Sequence, residues 1–576
     1  MKKSMVLGAC ALTTASTLAH GSVGEFCLAN QPCFPSESVL AQFNATVSGR
    51  LYSERPIGAV CYKGRWQTSV IFNQAACNEV ANHTSSSNWR VERFPAYQYV
   101  NWETCSSTDN CNATTVVRDR TCAQGSVPNY AVHAETAQDV VEYVRFATKH
   151  NLRIVIKNTG HDILGRSTGK GGFALWTHKM KGIQFNETFI PDGSPKEIDG
   201  GFVTVEAGVQ WGEAYKFADS MGRILVGGGA TSVGATGGFP LGGGYSLLSP
   251  SLGLGLNNIV ELELVTADGQ LRKVNEFSHP DLFWAVRGGG GGTWGATTKI
   301  TYRTHPRSEL YIFSVDGLSP NMTDAVARET VVRWVKLAPT LGDLGVGGVS
   351  MLSERSLTIA AMVQSSFANI TQLKDTLAPF TSWLAEQGVL HTDLESTANG
   401  TPIYTNYTSW YDYFNHTMAS DTSITPDTSA GTPSSITSRL VPRHYYESDP
   451  EGLADVLVQV SKAGSIIMGM TGPLRYAKDH PTAINSTSVT PVWYQSPWHI
   501  MPLSGEVARL REYAKDGGAY FGESDINEPD AANAYWSSNY PALLRAKAKW
   551  DPENVFQVWH GVGSPSLGNG TQSICA

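Results

Sequence analysis

Residues Ile154-Val-Ile-Lys-Asn-Thr-Gly-His-Asp162 decide the fold of this chain. Ile154, Val155 and Ile156 are β-branched and apolar, the composition of a short buried strand. Asn158-Thr-Gly160 then breaks the strand, a run that tolerates tight turns and lets backbone N–H groups point at a ligand. His161 stands at the tip of that turn. Upstream, Thr136-Ala-Gln-Asp139 has the spacing of a capping box. Val140, Val141, Val144 and Ala147 give the helix that follows an apolar face, and Asn151 suits its C-terminal cap. Helix, buried strand, glycine turn and histidine together make a place for an anionic cofactor. A histidine in a turn, taken alone, is more often an ordinary surface residue.

The context comes from two glycine-rich stretches. Val226–Ser246 reads V-G-G-G-A-T-S-V-G-A-T-G-G-F-P-L-G-G-G-Y-S. Such backbone lets the main chain approach a bulky ligand closely. It is neither a Walker loop nor a G-x-G-x-x-G dinucleotide fingerprint. Val226, Val233, Phe239, Leu241 and Tyr245 make it too apolar for a linker. Trp284–Gly295 reads W-A-V-R-G-G-G-G-G-T-W-G. Ser278 and Asp281 suit the start of a short helix that these glycines stop.

In order and spacing the three elements resemble the FAD-binding domain of the vanillyl-alcohol-oxidase/berberine-bridge-enzyme superfamily. The family's (R/K)-x-x-G-H turn is matched by Lys157-Asn-Thr-Gly160-His161, with Gly165-Arg-Ser167 continuing it, and its W-A-(L/V)-R-G-G-G-G-G motif by Trp284–Gly292. Asn539–Phe556 is similar to the family's closing segment. The likeness spans about Val127 to Gly563 and points to fungal isoamyl-alcohol-oxidase-like enzymes. It implies an α+β fold: a two-subdomain PCMH-type FAD-binding domain, plus an antiparallel-sheet substrate domain with helices on one face.

The resemblance also implies site residues. His161 is the position joined covalently to FAD. Lys157, Asn158, Thr159, Gly160, Asp162 and Ser167 accompany it around the turn. Gly228, Gly229, Ala230, Thr231, Val233, Gly234, Gly237, Gly238, Gly243 and Val260 complete the expected cofactor contacts. Many berberine-type members carry a second flavin link through a cysteine. Here that position falls near Ala230 or Thr231, so a single link through His161 is expected. Ala519-Tyr-Phe-Gly-Glu-Ser-Asp525 resembles the family's A-Y-x-N-Y-x-D segment, whose second tyrosine is a base in several relatives. Glu523 takes that place, and a carboxylate beside an aromatic cofactor suits a base if burial raises its pKa. Tyr520 is expected beside it. Val233 matches a position where a small residue admits oxygen.

The 576 residues suffice for two or more domains. A net charge of −8 and a pI near 6.0, with no basic stripe, argue against nucleic acid as a partner. No segment beyond the leader is long and apolar enough to span a membrane. Lys2, Lys3, the apolar Met5–Leu12 and the small residues at Leu18–Gly21 read as a secretory signal. Its removal takes Cys10 and leaves eight cysteines, seven between Cys27 and Cys122 and the last at Cys575. If all pair, at least one bridge leaves the N-terminal cluster, and Cys575 to an N-terminal cysteine is expected. No C-x-x-C spacing or paired histidines support a metal site. Eleven N-x-T sequons, at Asn44, Asn82, Asn112, Asn186, Asn321, Asn369, Asn399, Asn406, Asn415, Asn485 and Asn569, point to a eukaryotic secretory route.

The expected organisation is a signal over 1–21, a disulfide-tied cap over 22–125 with Trp66, Trp89 and Trp102 as anchors, and the cofactor domain over 126–306. A substrate domain over 310–500 and a C-terminal return over 501–576 complete it. Val260–Leu264 alternates like a half-buried strand, turned by Ala267-Asp-Gly269 onto Leu271–Val274. Helices are expected at Asp324–Leu337, Gln372–Gln387 and Leu453–Ala463, a strand at Leu357–Val363, and an exposed Ser/Thr/Pro-rich loop at Thr417–Ser438. The function expected is oxidation of an alcohol or secondary metabolite by FAD, with molecular oxygen as electron acceptor. An oxidative cyclase or desaturase needs the same flavin but a different pocket. A secreted flavin-carrying glycoprotein without turnover is the alternative of another class.

Overall fold

The computed structural model describes residues 26–564 and 574–575, apart from 67–68, 113–118, 120, 316–322, 355, 389–402, 420–429 and 435. The leader, the side chain of Trp66 and the sequons at Asn321, Asn399 and Asn569 lie outside the described residues.

The helix Ala137–Lys149 begins at the expected capping box. The N–H of Asp139 donates to Thr136 Oγ1 at 3.2 Å, and the N–H of Thr136 donates back to Asp139 Oδ2 at 2.9 Å. Val140, Val141, Val144 and Ala147 are all buried. Asn151, at φ 49°, turns the chain out of the helix. The following strand, Ile154–Lys157, pairs in parallel with Phe173–Trp176, which pairs in parallel with Tyr130–His133. The N-terminal segment adds Leu51–Ser53 as an antiparallel edge, closing a four-stranded sheet.

A second, antiparallel sheet runs in the order Leu271–Val274, Ile259–Val265, Ala296–Arg303, Ile198–Glu206, Ile183–Phe189. The hairpin at Ala267–Gly269 forms as expected, with Gly269 at φ 70° supplying the turn. The first glycine-rich stretch follows the short strand Arg223–Ile224, which pairs with His305–Pro306, and the second begins within the helix Pro280–Val286 and leads into the strand Ala296–Arg303.

A third sheet has seven antiparallel strands, from the edge strand Tyr404–Tyr407 through Leu310–Val315, Ser356–Gln364, Gly347–Ser353, Ile466–Met470 and His499–Pro502 to Arg439–Leu440. The helices Asp324–Leu344, Ile370–Glu386 and Pro450–Ser461 share one apolar core with it, built around Trp334, Phe380, Leu457 and Trp498. The first of these runs well beyond the expected Leu337, through Pro339, because Ala338 and Leu341 continue its buried face. The fold is therefore the expected α+β arrangement.

Four disulfides join Cys27–Cys33, Cys61–Cys77, Cys111–Cys122 and Cys105–Cys575. The last is the expected bridge out of the N-terminal cluster. It holds Ile574 against Trp102, Ile163 and Leu164, directly behind the turn that carries His161. Trp102 is buried as an anchor, whereas Trp89 is half-buried under the guanidinium of Arg93.

Candidate active site

The strand Ile154–Lys157 delivers its turn to the wall of a cavity of about 540 Å³. The turn and the Val226–Ser246 stretch form one side, and the seven-stranded sheet faces them with Val349, Ile467 and Met501, joined by Thr471 just past the strand Ile466–Met470. Gly160 adopts φ 84°, and Thr159 Oγ1 accepts the N–H of Gly234 at 3.3 Å, tying the two glycine elements together. A Cβ on Gly234 would lie 1.9 Å from Asn158 Oδ1, so this close approach requires glycine. A Cβ on Gly238 would meet nothing within 4 Å.

Asn158, Thr159, Gly160, His161, Asp162, Ser167, Gly228, Gly229, Ala230, Val233, Gly234, Gly237 and Gly238 all line the cavity, as do Tyr520 and Glu523. Four expected contacts do not. Lys157 points the opposite way, because strand alternation places it on the other face from Ile156. Its buried ammonium donates to the carbonyls of Arg93, Phe94 and Ala96 at 3.0, 2.7 and 2.6 Å. Burial pulls its pKa down to about 7 while Glu103 pulls it back up. Lys157 thus pins the N-terminal segment beneath the turn. Thr231 faces the helix Trp211–Ser220, its carbonyl accepting the N–H of Gly212 at 3.0 Å. Gly243, at φ 145°, supports the ring of Tyr520 from behind. Val260 sits at a bulge where the Ile259–Val265 strand slips register against Ala296–Arg303, which takes it off the cavity.

Glu523 projects from the C-terminal segment toward this cavity. Tyr245 donates to its Oε2 at 2.9 Å, and Ser438 Oγ holds its backbone carbonyl. Burial raises the Glu523 carboxyl to about 7, an effect the Tyr245 hydrogen bond opposes. The Tyr520 hydroxyl donates to Phe239 O at 3.2 Å, and its ring meets that of Tyr245 edge-on at 5.5 Å. Burial pushes the Tyr520 phenol far above its ordinary value, so it stays neutral. His499 packs against both rings, at 4.9 Å from Tyr245 and 5.7 Å from Tyr520, and burial lowers its pKa to about 3.

Several residues that shape the site carry weak sequence signals. Arg166 forms a two-point ion pair with Asp162 and donates through Nη2 to Phe521 O at 2.8 Å, locking the turn to the C-terminal segment. Tyr245 ends the first glycine stretch, where its aromatic ring among glycines was the available clue. Ser232 stands between Thr231 and Val233 and reaches His161 instead of the cavity. Trp410 opens the helix Trp410–Thr417 that follows the edge strand Tyr404–Tyr407, Met418 caps it, and Thr432, Pro433, Ser434 and Ile436 also line the cavity. The segment expected to be an exposed loop therefore contributes to the site, and its described residues Ala430, Thr437 and Ser438 are buried.

The residues present fit a flat, anionic dinucleotide. Two buried polar atoms of the lining, Asn158 Oδ1 and Arg166 Nη1, have no partner among the described residues. One is an acceptor and the other a cationic donor, and open backbone of Gly228–Gly238 lies between the turn and the facing sheet.

Comparison with known proteins agrees with this reading. A family model described as an FAD binding domain matches residues 128–275, and one described as berberine and berberine like matches residues 519–563. An FAD-linked oxidoreductase of Arthroderma benhamiae is 33% identical over 559 residues, covering 93% of this chain and 94% of its own. A flavin-dependent oxygenase of Aspergillus ustus, ucdF, is 31% identical over 548 residues, with 91% and 96% covered. The crystal structure of MtVAO615, a VAO-type flavoprotein from Myceliophthora thermophila C1, superposes with a TM-score of 0.80 at 28% identity, covering 95% of this chain and 99% of that one. The chain belongs to the VAO-type, berberine-bridge-like family of FAD-linked oxidoreductases.

Proposed function

We propose that this oxidoreductase is an oxidase whose FAD is tethered through His161 and whose substrate is an apolar alcohol or secondary metabolite. FAD, when bound, supplies the two-electron acceptor, reoxidised by dioxygen to give hydrogen peroxide. Glu523 carries the reading: a carboxylate on the cavity wall, raised to about 7, matches the general base that an alcohol needs as hydride leaves carbon. Tyr245 fixes the carboxyl through Oε2, and Tyr520 closes the site beside it. Asp162 and Arg166 neutralise each other in an ion pair. Among the described lining residues Glu523 is then the one carboxylate without a cationic partner. Val349, Ile467, Met501, Trp410 and Met418 make the facing wall apolar. A sugar would need a polar partner for each hydroxyl, so this wall favours an apolar skeleton.

Peroxide release measured across primary alcohols, sugars and polyketide-like alcohols tests the proposal. Turnover confined to sugars would overturn the apolar assignment, and no peroxide from any alcohol would overturn the oxidase. A second reading, oxidative cyclisation or desaturation, needs the same flavin in the same pocket, and product structure separates it from alcohol oxidation. We also propose passage through a secretory pathway. Four disulfides support it, as do the exposed positions of Asn82, Asn112, Asn369, Asn406, Asn415 and Asn485. Glycosidase digestion of protein from the native host should lower its mass.

A further inference from the structure

Behind the cavity wall, the His161 ring is held by a chain of buried side chains. Its Nε2 lies 2.7 Å from Ser232 Oγ, which lies 2.6 Å from Ser87 Oγ. Ser87 donates to Gln98 Oε1 at 2.7 Å. Ser87, Gln98 and Ser232 are all buried. Gln98 is itself anchored to the turn, its backbone N–H donating to Gly160 O at 3.1 Å. Its amide nitrogen faces Ser87 O at 3.5 Å, which orients Oε1 toward the Ser87 hydroxyl.

Counting protons gives this chain a direction. A hydroxyl has a single proton to donate, and an amide oxygen only accepts. Ser87 gives its proton to Gln98, so Ser232 must donate to Ser87. Ser232 then has no proton left for His161 and accepts from Nε2. The imidazole is held with its proton on Nε2 and its lone pair on Nδ1.

We propose that Ser232, Ser87 and Gln98 are positioning residues for attachment of the flavin to His161. They select the tautomer whose Nδ1 is the nucleophile, and Ser232 stabilises the positive charge that grows on the ring as Nδ1 forms its bond. The proposal rests on the reading that His161 tethers FAD. In the balanced step, Nδ1 bonds to a methyl carbon of the flavin ring, and one methyl C–H and the Nε2–H break. The two protons and two electrons pass to dioxygen and leave as hydrogen peroxide. The N-terminal segment thereby reaches the cofactor, since Ser87 and Gln98 belong to the part of the chain that Lys157 pins below the turn.

The test uses the full chain produced without flavin and mixed with FAD in air. Tethering is followed as flavin that stays with the polypeptide after acid precipitation, and intact mass should rise by one FAD less two hydrogens. Non-covalent binding is read separately by quenching of flavin fluorescence. Ser232→Ala and Ser87→Ala are expected to bind FAD as the wild type does but to tether it about 10–100-fold more slowly, the worth of a hydrogen bond to a developing charge. Ser232→Thr should restore the rate. Tethering at the wild-type rate in both alanine variants would overturn the proposal. So would loss of all flavin binding in both, which would make the chain purely structural. If the wild type itself gives up its flavin to acid, the tether reading fails first and is identified as the cause.

Discussion

Replacing Glu523 by Gln keeps the size of the side chain and its contact with Tyr245 but removes its capacity to take a proton. The wild-type carboxyl has its pKa raised from 4.5 to about 7 by burial. A base works in its ionised form, so wild-type flavin reduction should rise with pH through about 7. At pH 5 only about 1% of the carboxyl is ionised, and the rate should be about 100-fold below its plateau. Glu523→Gln should lower the plateau by roughly 10²–10⁴ and abolish this limb. Stability should move the other way. A carboxyl whose folded pKa is raised favours the native state below 4.5, and that contribution is lost as pH rises through about 7. The full shift corresponds to about 3 kcal/mol. Glu523→Gln should therefore unfold at a higher temperature than the wild type at pH 8, with no gain at pH 4. Rapid anaerobic mixing with a turned-over substrate measures flavin reduction apart from oxygen chemistry, and thermal unfolding across pH measures the second effect. A variant that reduces its flavin as fast as the wild type at pH 8 would remove Glu523 from the mechanism and direct the test to Tyr520.

Further outcomes are expected elsewhere in the molecule. The wild-type protein should stay yellow through acid precipitation, and His161→Ala should release its flavin under those conditions while remaining folded by circular dichroism. Cys575→Ser should lower stability by about 3–5 kcal/mol, because the bridge to Cys105 spans 470 residues and seats Ile574 behind the flavin turn; unchanged thermal unfolding would refute that role. Lys157→Met takes the Nζ donor from the buried carbonyl oxygens of Phe94 and Ala96, while Arg93 O keeps the N–H of Ala96, and should cost about 2 kcal/mol, with faster proteolysis near residues 93–96. Resistance equal to wild type would show that other contacts hold the segment.

Local pattern was enough for much of this protein. The capping box at Thr136, the β-branched run at Ile154, the hairpin at Ala267–Gly269 and the glycine stretches each depend on neighbours a few residues away. Such interactions are written in sequence order. The places of the Asn158–Asp162 turn and of Glu523 on one cavity were legible by resemblance for the same reason, since each lies within a compact motif. Sequence could require a bridge from Cys575 but left its partner open, because pairing depends on which cysteine folding brings near. Cys105 was decided by the packing of Ile574 on Trp102. Lys157 shows the limit of a motif: its place beside the turn was readable, but strand alternation and three distant carbonyls turn it away from the cavity and make it an anchor. Tyr245 meets Glu523 across 278 positions, and Ser232 meets Ser87 across 145. No local spacing encodes such pairs. They exist because the seven-stranded sheet, the glycine stretches and the N-terminal segment close around one cavity, where burial raises the Glu523 carboxyl and brings Ser232 and Ser87 behind His161.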